Sequence, residues 1–145
     1  MKFSPLMRGG IVSVVAAVAL GFLVGNGMFA AQAAAPQPFP EANPRSGDPK
    51  AIEEGEPLFF KWCSSCHGHK ADGETRFGKY GANLKNFWRG YCDYVVIVLN
   101  GRTKLGMPPW GGVLTEEEIS QIGAYLESLA SPDARWQGKC SPDLL

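Results

Sequence analysis

Apolar and polar positions divide the chain into stretches of different character. Ile11 to Val24 is almost wholly apolar, preceded by Lys2 and Arg8 and followed by small residues. Between residues 35 and 49, prolines at 36, 38, 40, 44 and 49 fall among small and polar residues, with no apolar stripe. Further on, helical spacing takes over. Ile119, Ile122, Tyr125, Leu126 and Leu129 recur on one helical face. Thr115-Glu116-Glu117-Glu118 supplies a capping box ahead of them, and Ser131-Pro132 ends the element. Leu58, Phe59 and Trp62 form an earlier stripe. Its helix is expected to start at Glu53 or Glu54, which puts Pro57 in the first turn, where amides lack partners anyway. The acids Glu53, Glu54 and Glu56 suit the positive end of the helix dipole. Gly68 to Gly90 is rich in turn formers and reads as a long wrapping loop with one short helix. Tyr91 to Leu99 has two readings. The run Val95-Val96-Ile97-Val98 favours a strand, whereas Asn100-Gly101 resembles a helix C-terminus ending in a left-handed glycine.

A basic start, a short apolar run and the small-residue exit Ala31-Gln32-Ala33 describe a secretory signal peptide. The alternative is an uncut membrane anchor, although Ile11–Val24 is short of the ~20 apolar residues a span needs. Cleavage divides the chain into a signal peptide (1–33), a proline-rich linker (34–48) and one folded domain (49–145), and implies export to a bacterial periplasm. The chain has 145 residues, with 14 basic and 14 acidic side chains. Losing Lys2 and Arg8 leaves a slightly acidic remainder, which does not suggest nucleic-acid binding. There is no internal repeat.

Cys63-Ser64-Ser65-Cys66-His67 has the Cys-x-x-Cys-His spacing of haem c attachment. Two thiols add across the haem vinyl groups as thioethers, and the histidine after the second cysteine lies beneath the iron. A redox disulfide is one competing reading, but such pairs accompany a βαβ pattern that is missing here. Half a zinc site is another. Its remaining ligands would have to be Cys92, Cys140 or His69, whose spacing is irregular.

The second axial ligand follows by elimination. Met1, Met7 and Met28 leave with the signal, so Met107 is the methionine that stays. His69 follows His67 by two residues and cannot reach the opposite haem face. Met107 lies in the proline-stiffened stretch Gly106-Met107-Pro108-Pro109-Trp110, with enough chain before it to wrap a porphyrin. Methionine also serves as ordinary core filler. Thioether ligation raises the potential and closes the sixth position, as suits an electron carrier and not an enzyme. Thioether formation at Cys63 and Cys66 leaves Cys92 and Cys140, an even pair in an oxidising compartment. A disulfide joining the tail to the middle element is expected, with two buried free thiols as the alternative.

Residues 49–130 resemble a class I cytochrome c. The likeness rests on Gly55-x-x-Leu58-Phe59 before Cys63-Ser64-Ser65-Cys66-His67-Gly68, on Asn100-Gly101, and on Gly106-Met107-Pro108-Pro109-Trp110 before an apolar C-terminal helix. The resemblance implies an all-α fold whose N- and C-terminal helices cross at Gly55, with Tyr125 and Leu126 facing Phe59 and one covalent haem c in a crevice. It makes Tyr91–Leu99 a helix and gives Leu84 and Trp110 as haem-packing positions. Members usually carry Gly-Pro-x-Leu after the haem motif, the proline carbonyl taking the axial histidine's N–H. Here the nearest match is Gly81-Ala82-Asn83-Leu84, where the Ala82 carbonyl could serve.

The long middle loop, Cys92 with Cys140, and Phe87-Trp88 are similar to cytochromes that accept electrons from periplasmic quinoprotein alcohol dehydrogenases, which use pyrroloquinoline quinone. That implies such a dehydrogenase as donor and an oxidase or another cytochrome as acceptor. Between residues 61 and 104 lie eight basic residues (Lys61, Lys70, Arg76, Lys79, Lys85, Arg89, Arg102 and Lys104) and three acids. Either they form a basic collar that steers an acidic partner, or they solvate a loop. A membrane-anchored or tightly bound cytochrome subunit is the alternative to a free shuttle. A haem peroxidase or gas-binding protein would need an open sixth position.

Overall fold

The computed structural model describes residues 38–145. The expected signal peptide and the start of the linker lie outside the described residues. Helix α1 runs Pro49–Trp62 and continues through Cys63 into a single turn, α2 (Ser64–His67). A two-residue hairpin, β1 (Glu74–Thr75) with β2 (Gly78–Lys79), follows in antiparallel register. Next come a 3₁₀ turn at Leu84–Asn86, helix α3 (Tyr91–Asn100), a second 3₁₀ turn at Thr103–Leu105, and α4 (Glu116–Ser128). The architecture is all-α apart from that hairpin. No described helix is long and apolar enough to cross a membrane.

Helices α1 and α4 cross backbone to backbone. A Cβ placed on Gly55 would lie 2.0 Å from the Gln121 carbonyl oxygen, so only glycine permits the approach. Phe59 is fully buried beside the crossing, its ring 5.5 Å from that of Tyr125. Leu126 belongs to the same core. The capping box at Thr115 and Glu118 forms in full.

Helix α1 starts earlier than its proline suggests. Asp48 caps it, accepting from the Lys50 N–H at 3.0 Å, and Pro49 takes the first turn. Pro57 therefore sits in the helix interior. It is exposed, so the Glu53 carbonyl that loses its partner can turn to water, while Ala51, Gly55 and Phe59 are buried on the opposite face. Burial of that face outweighs the missing bond.

The proline-rich segment also departs from a bare tether. Asn43 is buried and its Nδ2 donates to the Ser120 carbonyl at 3.0 Å. Phe39 packs on the core, and the Gly138 N–H donates to the Glu41 carbonyl at 2.8 Å. The ordered domain thus begins before residue 49, because these side chains find partners on α4 and the C-terminal tail.

Tyr91–Asn100 is helical despite its valines. Tyr91 through Val96 are all buried, and a helix satisfies its own backbone there without a neighbouring strand. It ends at Gly101 with φ +67°. Cys92, fully buried on α3, is bonded to Cys140. The bridge closes a separation of 48 residues, and removing it as Cys92→Ala/Cys140→Ala should cost up to about 4 kcal/mol on loop entropy. Denaturant titration of oxidised wild type against this variant checks it; equal midpoints would exclude a stabilising staple.

Candidate functional site: a haem cleft

Cys63, Cys66 and His67 occupy one helical turn. The His67 N–H donates to the Cys63 carbonyl at 2.9 Å, and the Cys66 N–H to the same oxygen at 3.2 Å. Positions three and four apart lie on one face of such a turn, so both sulfurs and the imidazole meet the same space. That space is a mostly apolar cleft of about 580 Å³, within the ~300–1,000 Å³ of small-molecule and cofactor sites. Leu84, Met107 and Trp110 border it too, together with Val98 and the buried Tyr94 of α3.

Each wall is positioned by backbone bonds. The Gly81 N–H donates to the Cys66 carbonyl at 2.8 Å, bringing the next residue over the imidazole. The Ala82 carbonyl oxygen then lies 2.9 Å from His67 Nδ1, the role a proline carbonyl fills in the resembling family. Donation from Nδ1–H leaves Nε2 as the lone-pair nitrogen and sets the tautomer. Gly81 cannot be larger: a Cβ there would meet the Cys66 carbonyl oxygen at 2.6 Å and His67 Nδ1 at 2.9 Å. Gly81→Ala should cost about 1–3 kcal/mol by overpacking. With the imidazole less basic for want of its acceptor, the haem-loaded variant should show a higher midpoint potential. Potentiometry and denaturant unfolding read the two effects separately.

Met107 comes from a loop held at both ends. Arg102 and Met107 exchange backbone bonds, Arg102 N–H to Met107 carbonyl at 2.8 Å and Met107 N–H to Arg102 carbonyl at 3.1 Å. The Trp110 N–H donates to the Val98 carbonyl at 3.0 Å, tying the far end to α3. Trp110 packs edge-on against Trp62, centroids 5.3 Å apart, a contact with no local sequence signal. His69 lies outside the cleft lining, its ring 5.3 Å from Phe60.

The donor set suits a covalently held haem better than the competing readings. Cys63 and Cys66 are not bonded to one another. Burial, with Cys66 adding, pushes the Cys63 thiol up to about 12. A thiol so disfavoured as thiolate is a poor redox nucleophile. Cys92 and Cys140 are committed to each other, so neither completes a zinc set. The cleft instead combines an apolar interior, two thiols on one turn, an oriented imidazole and a thioether.

Helix crossing, Cys63–His67 turn and apolar cleft together define a class I c-type cytochrome domain. Residues 50–126 match the family model described as "Cytochrome C oxidase, cbb3-type, subunit III", more than half of the chain, and the chain belongs to that family. Cytochrome c domains of that family bind haem c and transfer electrons. Similar proteins include the quinohemoprotein alcohol dehydrogenase ADH-IIG of Pseudomonas putida, 33% identical over 97 residues, or 66% of this chain and 13% of that protein. The cbb3-type cytochrome c oxidase subunit FixP of Sinorhizobium medicae is 30% identical over 101 residues, covering 61% of this chain and 35% of FixP. The chain therefore spans well under half the length of either relative. Among solved structures, cytochrome CL of the marine methylotroph Methylophaga aminisulfidivorans is 30% identical, covering 61% of this chain and 59% of that one, with a TM-score of 0.49.

Proposed function

We propose that this chain is a periplasmic one-electron carrier with a single haem c, attached through Cys63 and Cys66 and ligated by His67 and Met107. One observation carries the reading: two thiols, an imidazole engaged by a backbone carbonyl, and a thioether all border one apolar cleft. The haem supplies an iron that alternates between ferrous and ferric states. The protein's residues do the rest. Cys63 and Cys66 hold the group without reliance on affinity. Ala82 keeps the His67 ring in one tautomer and makes it a better ligand. Met107 would be the second ligand of the iron, a thioether that favours the ferrous state. Leu84, Trp62 and Trp110 form apolar walls that keep water from the group.

The donor in this reading is a quinoprotein alcohol dehydrogenase, and electrons pass on towards a terminal oxidase or another cytochrome. Support comes from the relatives, quinohemoprotein alcohol dehydrogenases on one side and an oxidase subunit on the other. Basic residues between 61 and 104 would steer an acidic partner towards the cleft. A second reading, a cytochrome subunit that is anchored or tightly bound to its enzyme, draws on the same relatives, which carry the matching segment within a much longer chain.

Intact-mass measurement of the exported protein tests the assignment. The expected species begins near residue 34, carries one haem and has one disulfide. A polypeptide without covalent haem would end the proposal. Retention of residues 1–33, with haem-stained protein remaining in salt-washed membranes, would favour the anchored subunit.

A further inference from the structure

The cleft wall that precedes α3 has little secondary structure of its own. Leu84, Asn86 and Phe87 border the cleft, yet one 3₁₀ turn is all the regular structure they have. The C-terminal tail steadies them. It leaves the end of α4 and runs beside the wall, the Ser131 N–H donating to the Lys85 carbonyl at 2.8 Å and the Arg135 N–H to the Phe87 carbonyl at 2.7 Å. The Ser131 hydroxyl donates to Asn86 Oδ1 at 2.6 Å. Further on, the tail passes so near Gly90 that a Cβ there would meet the Gly138 carbonyl oxygen at 2.7 Å. The Cys92–Cys140 bridge secures the far end.

Trp136 is the aromatic side chain that this tail sets against the wall. Its ring centre lies 4.9 Å from that of Phe87 and 5.5 Å from that of Tyr94. Phe87 and Tyr94 both border the cleft, and Trp136 does not. It therefore acts on the contents of the cleft through those two rings. The indole nitrogen of Trp136 is buried and has no partner among the described residues. An unpaired buried N–H costs stability, so that group gives the residue no hold. What Trp136 contributes is ring bulk behind Phe87. Without that bulk Phe87 has space to retreat, and water can enter a cleft whose walls are mostly apolar.

We propose that the tail is a strap on the haem cleft, with Trp136 the positioning residue that holds Phe87 and Tyr94 in place and keeps water out. The role presumes haem in the cleft, the reading proposed above. The apolar shell around an iron site sets its potential by controlling water access. Water stabilises the ferric state, which carries the additional positive charge, so Trp136→Ala should lower the midpoint potential. Trp136→Phe keeps a ring and loses no hydrogen bond, so it should stay close to wild type.

Spectropotentiometry, with haem content recorded, and amide exchange of the wall segment 84–88 read by mass spectrometry test the strap. Trp136→Ala should show a lower potential and faster wall exchange, both restored in Trp136→Phe. The Cys92→Ala/Cys140→Ala variant keeps residues 131–136 between α4 and Phe87. It should lose stability and yet move the potential less than Trp136→Ala does. An unchanged or raised potential in Trp136→Ala, or shifts that simply follow unfolding stability across the set, overturn the strap and leave the haem reading intact. Wild-type protein without haem ends the haem reading instead. Exchange still tests the strap in that case, and equal wall exchange in wild type and Trp136→Ala overturns it. If Trp136→Ala does not fold, Trp136→Leu takes its place with the same expected directions.

Discussion

Met107→Ala should abolish the near-infrared methionine-to-iron band of the oxidised protein, lower the midpoint potential and let carbon monoxide bind the ferrous form. The change should stay local. Met107 is half-buried, and its loop is held by backbone bonds to Arg102 and from Trp110 to Val98, which alanine keeps. What disappears is the thioether that favours ferrous iron, so the potential should move by a measurable fraction of the ~0.8 V range that axial ligands span. Absorption spectroscopy with a carbon monoxide titration decides the matter. If wild type lacks the band, or binds carbon monoxide readily, a closed electron carrier is the wrong description and a gas-binding role gains ground.

Gly55→Ala should destabilise the whole domain. Its Cβ would meet three backbone atoms of α4: the Gln121 carbonyl oxygen at 2.0 Å, its carbon at 2.5 Å and the Ile122 nitrogen at 3.0 Å. None can swing aside as a side chain would, so the helices must separate and loosen the packing of Phe59 against Tyr125. Overpacking of this kind costs about 1–3 kcal/mol or more, against a gain of ~1 kcal/mol from alanine's helix propensity. Because α1 runs directly into the Cys63–His67 turn, separation should also disturb the cleft. The neighbouring exposed Glu53→Ala is the control, expected within about 0.5 kcal/mol of wild type. Unchanged unfolding of Gly55→Ala would mean that the crossing is looser than its geometry implies.

How far the chain could be read in advance follows the range of the interactions involved. The C-terminal helix was legible because its cap, Thr115 with Glu118, and its apolar stripe lie within a few residues of one another. The Cys63–His67 turn was legible for the same reason: Cys-x-x-Cys-His brings two sulfurs and an imidazole to one face of one turn. Gly55 and the Phe59–Tyr125 contact were accessible through family resemblance, since no local rule predicts which glycine another helix will touch. Pro57 misled because its cost is local, a single lost bond, whereas the compensating burial of Ala51, Gly55 and Phe59 depends on α4 being there. Tyr91–Asn100 was ambiguous for a related reason. Valine's strand preference is a small local bias, and all-round burial between other elements overrides it.

The Cys63–His67 motif, the further pair Cys92 and Cys140, and Met107 as the one methionine after residue 28 are properties of the sequence by itself, and they point to the proposed chemistry. Where those groups meet is a matter of tertiary structure. Ala82 reaches His67 across fifteen residues, Asn43 reaches Ser120 across 77, and Arg89 meets Asp143 across 54. Such contacts leave no periodic trace, because a hydrogen bond between distant residues depends on how the chain closes and not on what lies beside either partner. The motif names groups that face the cleft; packing decides which carbonyl turns the histidine.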